Sequence, residues 1–189
     1  MSSKIINSIC KDLISTSIKI SNVEQQLYLE KSILTVNNII PFNQSQTQMT
    51  LNSDTLSLRY NHPLPYNVIL NKLRFNFTNK ANINKITIYV MDNTSKQIVF
   101  IEIPQSQITT VGQIEEIVLN NYELLQGYRL DIIFHLNNRT ITQLEETYQV
   151  PFVFYEDEDT LLEDTMFSID LNISLNAIKY FDYILSNRL

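Results

Sequence analysis

Residues 167–175, Phe-Ser-Ile-Asp-Leu-Asn-Ile-Ser-Leu, alternate apolar and polar side chains without a break. In an extended chain successive side chains point to opposite faces. Phe167, Ile169, Leu171, Ile173 and Leu175 therefore share one face, and Ser168, Asp170, Asn172 and Ser174 share the other. Such a strand requires an apolar partner on one side and tolerates water on the other, the pattern of an antiparallel sheet in a layered fold. Energetics point the same way. Burying each apolar side chain is worth roughly 1.5–3 kcal/mol, while fixing the backbone costs roughly 1–2 kcal/mol per residue. A lone strand loses that balance, so a second apolar layer must cover it.

The same period recurs along the chain. Residues 55–60 alternate; residues 68–77 place Leu73, Phe75 and Phe77 inward and Lys72, Arg74 and Asn76 outward. Residues 85–91 put Ile86, Ile88 and Val90 on one face, and 98–103 return after the turn chemistry of 92–96, which predicts a hairpin. Residues 114–119 follow Gly112. Gly127 supplies the positive φ of a turn before 129–136, where Leu130, Ile132 and Phe134 face inward and Arg129, Asp131 and His135 outward. Strands near 147–155, 167–175 and 178–185 complete the series. With Gly and Ala rare and β-branched and aromatic residues abundant, local preference favours strand over helix. The expected fold is all-β: an antiparallel, jelly-roll-like β-sandwich of about 8–10 strands.

We place the sandwich in residues 54–189 and an N-terminal arm with a polar linker in 1–53. Ile5, Ile6, Ile9, Cys10, Leu13 and Ile14 suit a short amphipathic helix, residues 28–36 suit strands as well as a helix, and the amide-rich run 41–53 suits a loop or extended arm. At 189 residues one such domain can bury a sufficient core. The net charge of −6, with basic residues scattered, gives no reason to expect nucleic-acid binding. No apolar run approaches the roughly 18 residues of a membrane helix. Cys10 is the only cysteine, which excludes an intrachain disulfide, fits a reducing compartment and reads as a small buried hydrophobe.

The chemistry that most enzymes announce is missing. Two glycines, Gly112 and Gly127, cannot build a phosphate-cradling loop, and no nucleophile elbow occurs. His62 and His135 have no metal-ligand spacing and read as surface histidines. No cofactor and no catalytic residue is therefore expected. One charged constellation stands out: Glu156, Asp157, Glu158, Asp159, Glu163 and Asp164, interrupted by Leu161 and Leu162, which are expected to point inward. Crowded carboxylates could hold a hard cation, but the glycine and alternating oxygens of a calcium loop are absent. A solvated acidic loop that meets another protein is the favoured reading. Tyr148, Phe152, Phe154 and Tyr155, or Tyr180, Phe181 and Tyr183, offer aromatic surface for sugar or a neighbouring subunit, with core packing favoured for the phenylalanines. Tyr180 and Tyr183 join the acidic residues as candidate interface residues.

The segment 124–132, Leu-Leu-Gln-Gly-Tyr-Arg-Leu-Asp-Ile, resembles the turn and strand common in jelly rolls, including carbohydrate-binding modules and virion proteins. With the glycine-poor composition and the polar arm, the chain resembles in style the β-sandwich structural proteins of tailed-phage particles, those of neck or tail rings and capsid surfaces. That resemblance implies a non-enzymatic virion subunit, assembled in the host cytoplasm into a homo-oligomeric ring or lattice with other virion structural proteins, without membrane or nucleic-acid partners. A carbohydrate-binding or adhesion module is the alternative.

Overall fold

The computed structural model describes residues 33–39, 42, 44–60, 63–64, 66–92, 94–146, 152–157 and 159–176. The chain divides into two compact units, 35–175 and a second made of 1–34 with 176–189, and the sandwich lies in the first. Thirteen strands occur among the described residues. They are β1 (Ile33–Ile39), β2 (Gln46–Thr50), β3 (Thr55–Tyr60), β4 (Val68–Phe75), β5 (Ile83–Met91), β6 (Gln97–Pro104) and β7 (Thr109–Val111). After them come β8 (Ile114–Leu124), β9 (Arg129–Leu136), β10 (Thr140–Leu144), β11 (Phe152–Glu156), β12 (Thr160–Leu161) and β13 (Ile169–Asn176). The five-stranded sheet runs β1-β13-β4-β8-β7, the six-stranded sheet β12-β11-β3-β9-β5-β6, and β2 pairs with β10.

The turns form where local chemistry permits. The Asp92 carboxylate accepts from the Thr94 and Lys96 amides at 2.8 and 3.0 Å, closing the β5–β6 hairpin as expected. Gly127, at φ 88°, lets its N–H reach the Leu64 carbonyl, while the Leu64 N–H bonds the Tyr128 carbonyl. The strand expected at 114–119 continues to Leu124 because Asn120 and Asn121, at φ 51° and 58°, form a bulge that Asn tolerates better than most residues.

The inner faces meet as the alternation requires. Phe75 and Phe77, at the end of β4 and just beyond it, touch Phe134 of β9 edge-on at centroid distances of 5.2 and 5.0 Å. Phe167 packs against Phe77 at 5.5 Å and against Phe154 of β11 at 4.9 Å. All five rings are essentially sealed from solvent, together with Ile86, Ile88, Ile132, Ile169 and Leu171. This is an all-β sandwich.

Three expectations need correction, while the polar run 41–53 takes its extended alternative over Gln46–Thr50, which is β2, with Gln46 donating to Asn76 and Ser168 at 3.1 and 3.0 Å. Phe42 and Gln46 thus lie over the outer side of β4 and of the residue preceding β13, with the Arg74 guanidinium 6.0 Å from the Phe42 ring centre. The second face of 167–175 is not wet. Ser168 and Asp170 are 0% exposed, Asn172 is half-buried, and Ser174 is 6% exposed. The strand count also exceeds expectation, since the short β7, β10 and β12 lack a readable period. Finally, Leu161 does not point inward; it is 43% exposed. The proposed helix at 5–14, His62, Tyr148 and the strand at 178–185 lie outside the described residues.

Asp170 needs its partner. Arg74, directly opposite in the β4–β13 register, donates from Nε at 2.8 Å and from Nη2 to the same oxygen. Burial nevertheless pushes the Asp170 carboxyl above its ordinary value, against the opposing pull of Arg74. Removing one member of such a pair strands a charge. Arg74→Leu should lower unfolding free energy by roughly 3 kcal/mol, whereas Arg74→Leu with Asp170→Leu should recover most of it. Phe167→Ala should cost about 3–5 kcal/mol by opening a cavity between the sheets. Urea titration followed by fluorescence measures all three variants.

Candidate functional site

The acidic segment is less uniform than its composition implies. Glu156 is 5% exposed, and its carboxylate accepts from the Ser53 amide at 2.7 Å and the Asn52 side chain at 3.2 Å. It fixes the strand-to-strand connection before β3 and belongs to no exposed surface, a correction to the solvated-loop expectation. Asp157, at φ 61°, turns the chain by accepting from the Asp159 and Thr160 amides. Those bonds, the Asp159 amide first, hold its carboxyl below the ordinary value. Among the described residues of the segment, Asp159, Glu163 and Asp164 are the exposed acids. Glu158, Tyr180 and Tyr183 lie outside the described residues. Among the described residues, no three His, Cys, Asp or Glu side chains converge as metal ligands would.

A different surface emerges on the outer face of the six-stranded sheet. Cross-strand register lines up Val153, Arg59, Asp131, Tyr89 and Phe100 as one row across β11, β3, β9, β5 and β6. Arg59 Nε donates to Asp131 at 2.9 Å while its guanidinium lies 4.6 Å from the Tyr155 ring centre. Held by both, the cation is oriented rather than free to sweep. Arg129, exposed at the start of β9, joins Met91, Leu130, Val153 and Tyr155 in lining a groove of about 420 Å³. At the other end of the row Tyr89 packs on Phe100 at 5.2 Å, and Phe100 and Ile98 remain 47% and 44% exposed.

The next rows are quieter. Thr87 Oγ1 and His135 Nε2 bond at 3.0 Å, and burial, reinforced by nearby Lys85, holds the imidazole below its ordinary value. A second, polar cleft of about 440 Å³ opens beside β2 and β10 and is lined by Gln46, Gln48, Asn79, Asn82, Gln113 and Thr140. Its buried Glu115 accepts from the Lys80 amide at 3.0 Å and from Thr110 Oγ1 at 2.7 Å, so both oxygens are engaged in structure. The first of these places a hydroxyl against an imidazole, and the second is lined by amides and hydroxyls around a structural carboxylate. What the outer row can do is bind: it presents a fixed guanidinium, aromatic faces and exposed aliphatic carbons on rigid strands. Sequence reasoning had Arg129 and Asp131 facing outward, but pairing Arg59 with Asp131 and Tyr89 with Phe100 required the strand order.

No family model matches the chain, and no curated protein matches it. Solved structures overlap it only in part. The cysteine protease and lectin-like domains of Cwp84 from Clostridium difficile align with a TM-score of 0.39 and 13% identity, over 69% of this chain and 36% of that one. The VP2 subviral particle of infectious bursal disease virus gives 0.36 and 10%, over 78% and 33%. A Streptococcus pneumoniae fucose-binding module gives 0.29 and 7%, over 57% and 90%. The chain spans about a third of the length of the first two. At these overlaps no residue role passes from one protein to another.

His135 makes stability depend on pH. Its folded value lies below the ordinary 6.5, so the unfolded chain takes up the proton first as pH falls. The contribution is present above that ordinary value and is lost as pH drops through the folded value. Thermal melts at pH 7.5 and 5.5 should therefore show a lower Tm at the acid pH, with the difference reduced in His135→Gln.

Proposed function

We propose that the protein is a non-enzymatic structural subunit of a virion, built to associate with copies of itself into a ring or lattice. One observation carries the reading: the row from Val153 to Phe100 ends in exposed apolar side chains on a rigid sheet. Exposed apolar surface of that kind rewards burial against another protein. The exposed Asp159, Glu163 and Asp164 add a charged rim suited to a basic patch on a neighbouring virion protein.

A second reading, a carbohydrate-binding or adhesion module, is favoured by the groove itself, where Arg59 is stacked on Tyr155 beside Arg129. Guanidinium and aromatic faces are the groups that grip sugar rings and their charged substituents.

Light scattering on the purified chain separates the two. The assembly reading expects a mass several times 22.1 kDa and no retention on a glycan array. A monomer that binds glycans, and loses them in Tyr155→Ala, would establish the second reading instead.

A further inference from the structure

The six-stranded sheet ends in β6, which pairs with β5 on one side and with no described strand on the other. An open edge presents unpaired backbone donors and acceptors, and proteins usually blunt it with lysines, prolines or bulges. Here those devices stand only at the ends. Register runs from Val90 opposite Val99 to Met91 opposite Gln97, so Ile98 is bulged, and Pro104 closes the far end without an N–H. Between them lie five regular residues, Val-Phe-Ile-Glu-Ile at 99–103, with no lysine among them.

The two faces of this stretch are both underused. Phe100 is 47% exposed on the outer face. Val99 and Ile101, on the inner face, are only half-buried, whereas Ile88 and Ile132 in the interior strands are 0% exposed. An inner-face residue left half-exposed at an edge is what a missing neighbour strand would cover.

We infer that β6 pairs antiparallel with β6 of a second copy about a two-fold axis at Ile101, joining the two six-stranded sheets into one. Keeping inner faces together allows only registers that differ by two residues. Centring the axis on Ile101 uses the whole regular stretch. Val99 then meets Ile103 of the second copy, Ile101 meets its own equivalent, and Phe100 meets Glu102. That carboxylate is already neutralised by Lys85 at 2.7 Å, so its methylene groups can lie beside the ring. Centring on Glu102 would set like charges directly opposite, and centring on Phe100 would force the bulged Ile98 into the ladder. The two-fold contact satisfies backbone groups, covers Val99 and Ile101 and extends the Tyr89–Phe100 row.

This inference rests on the assembly reading and names one of its contacts. Sedimentation velocity over about a hundredfold concentration range should give a species of twice 22.1 kDa or a multiple of it. Phe100→Lys, at an exposed site, should weaken that association at least about tenfold. In a Cys10→Ser background, Ile101→Cys should form a covalent dimer under mild oxidation because the two thiols face each other, whereas Val118→Cys, 58% exposed on the other sheet, should not. Association that survives Phe100→Lys, with no Ile101→Cys cross-link, would overturn the edge contact and leave the assembly reading standing. A wild-type chain monomeric throughout would overturn both.

Discussion

Five phenylalanine rings, Phe75, Phe77, Phe134, Phe154 and Phe167, lock the two large sheets together. Their contacts are edge-on or tilted, at separations where aromatic pairs add to the gain from burial. Everything else in the molecule follows from that closure. Once the inner faces are sealed, each strand's alternate side chains are committed to the outside, and the outer faces become surfaces of fixed composition. A side chain there is placed by its register position, as the row from Val153 to Phe100 is.

Both outer faces carry the same device. Arg59 sits directly opposite Asp131 in the six-stranded sheet, and Arg74 directly opposite Asp170 in the five-stranded one. A slip of one residue in either pairing would drive an arginine into the core, so these pairs penalise misregister even where their net contribution to stability is small. They differ in solvation. Asp170 is 0% exposed and Asp131 13%, whereas the arginines are alike at 29% and 30%; Phe42 lies over Arg74, and Arg59 lines a groove against Tyr155. The same pair is therefore more deeply buried on one face than on the other, through its aspartate.

For the proposed assembly role, this division of labour is economical. One outer face is partly occupied by the chain's own segment, leaving the other, with its half-exposed edge strand, to meet neighbours. The acidic connection between β11 and β12 shows the same split at smaller scale. Glu156 anchors the connection through Ser53 and Asn52, Asp157 shapes it, and Asp159 faces solvent.

Sequence alone determined the layered all-β architecture. A two-residue period kept through 167–175, 129–136 and 85–91 leaves no other way to hide one face of each strand, and the turn chemistry at 92–96 fixed the hairpin it closes. Strands without a period, β7, β10 and β12, were invisible because they are held by neighbours and not by a buried stripe of their own. The wet face expected opposite Phe167, Ile169 and Leu171 could not be corrected from the sequence either. Ser168 and Asp170 look like solvent-facing residues until a segment more than a hundred positions away is laid over them. Tertiary structure decided that cover, the row that brings Arg59, Asp131, Tyr89 and Phe100 together, and which strand stands at the edge. Periodicity records which side of a strand is buried, but strand order is a long-range choice made by packing, and it leaves no local mark.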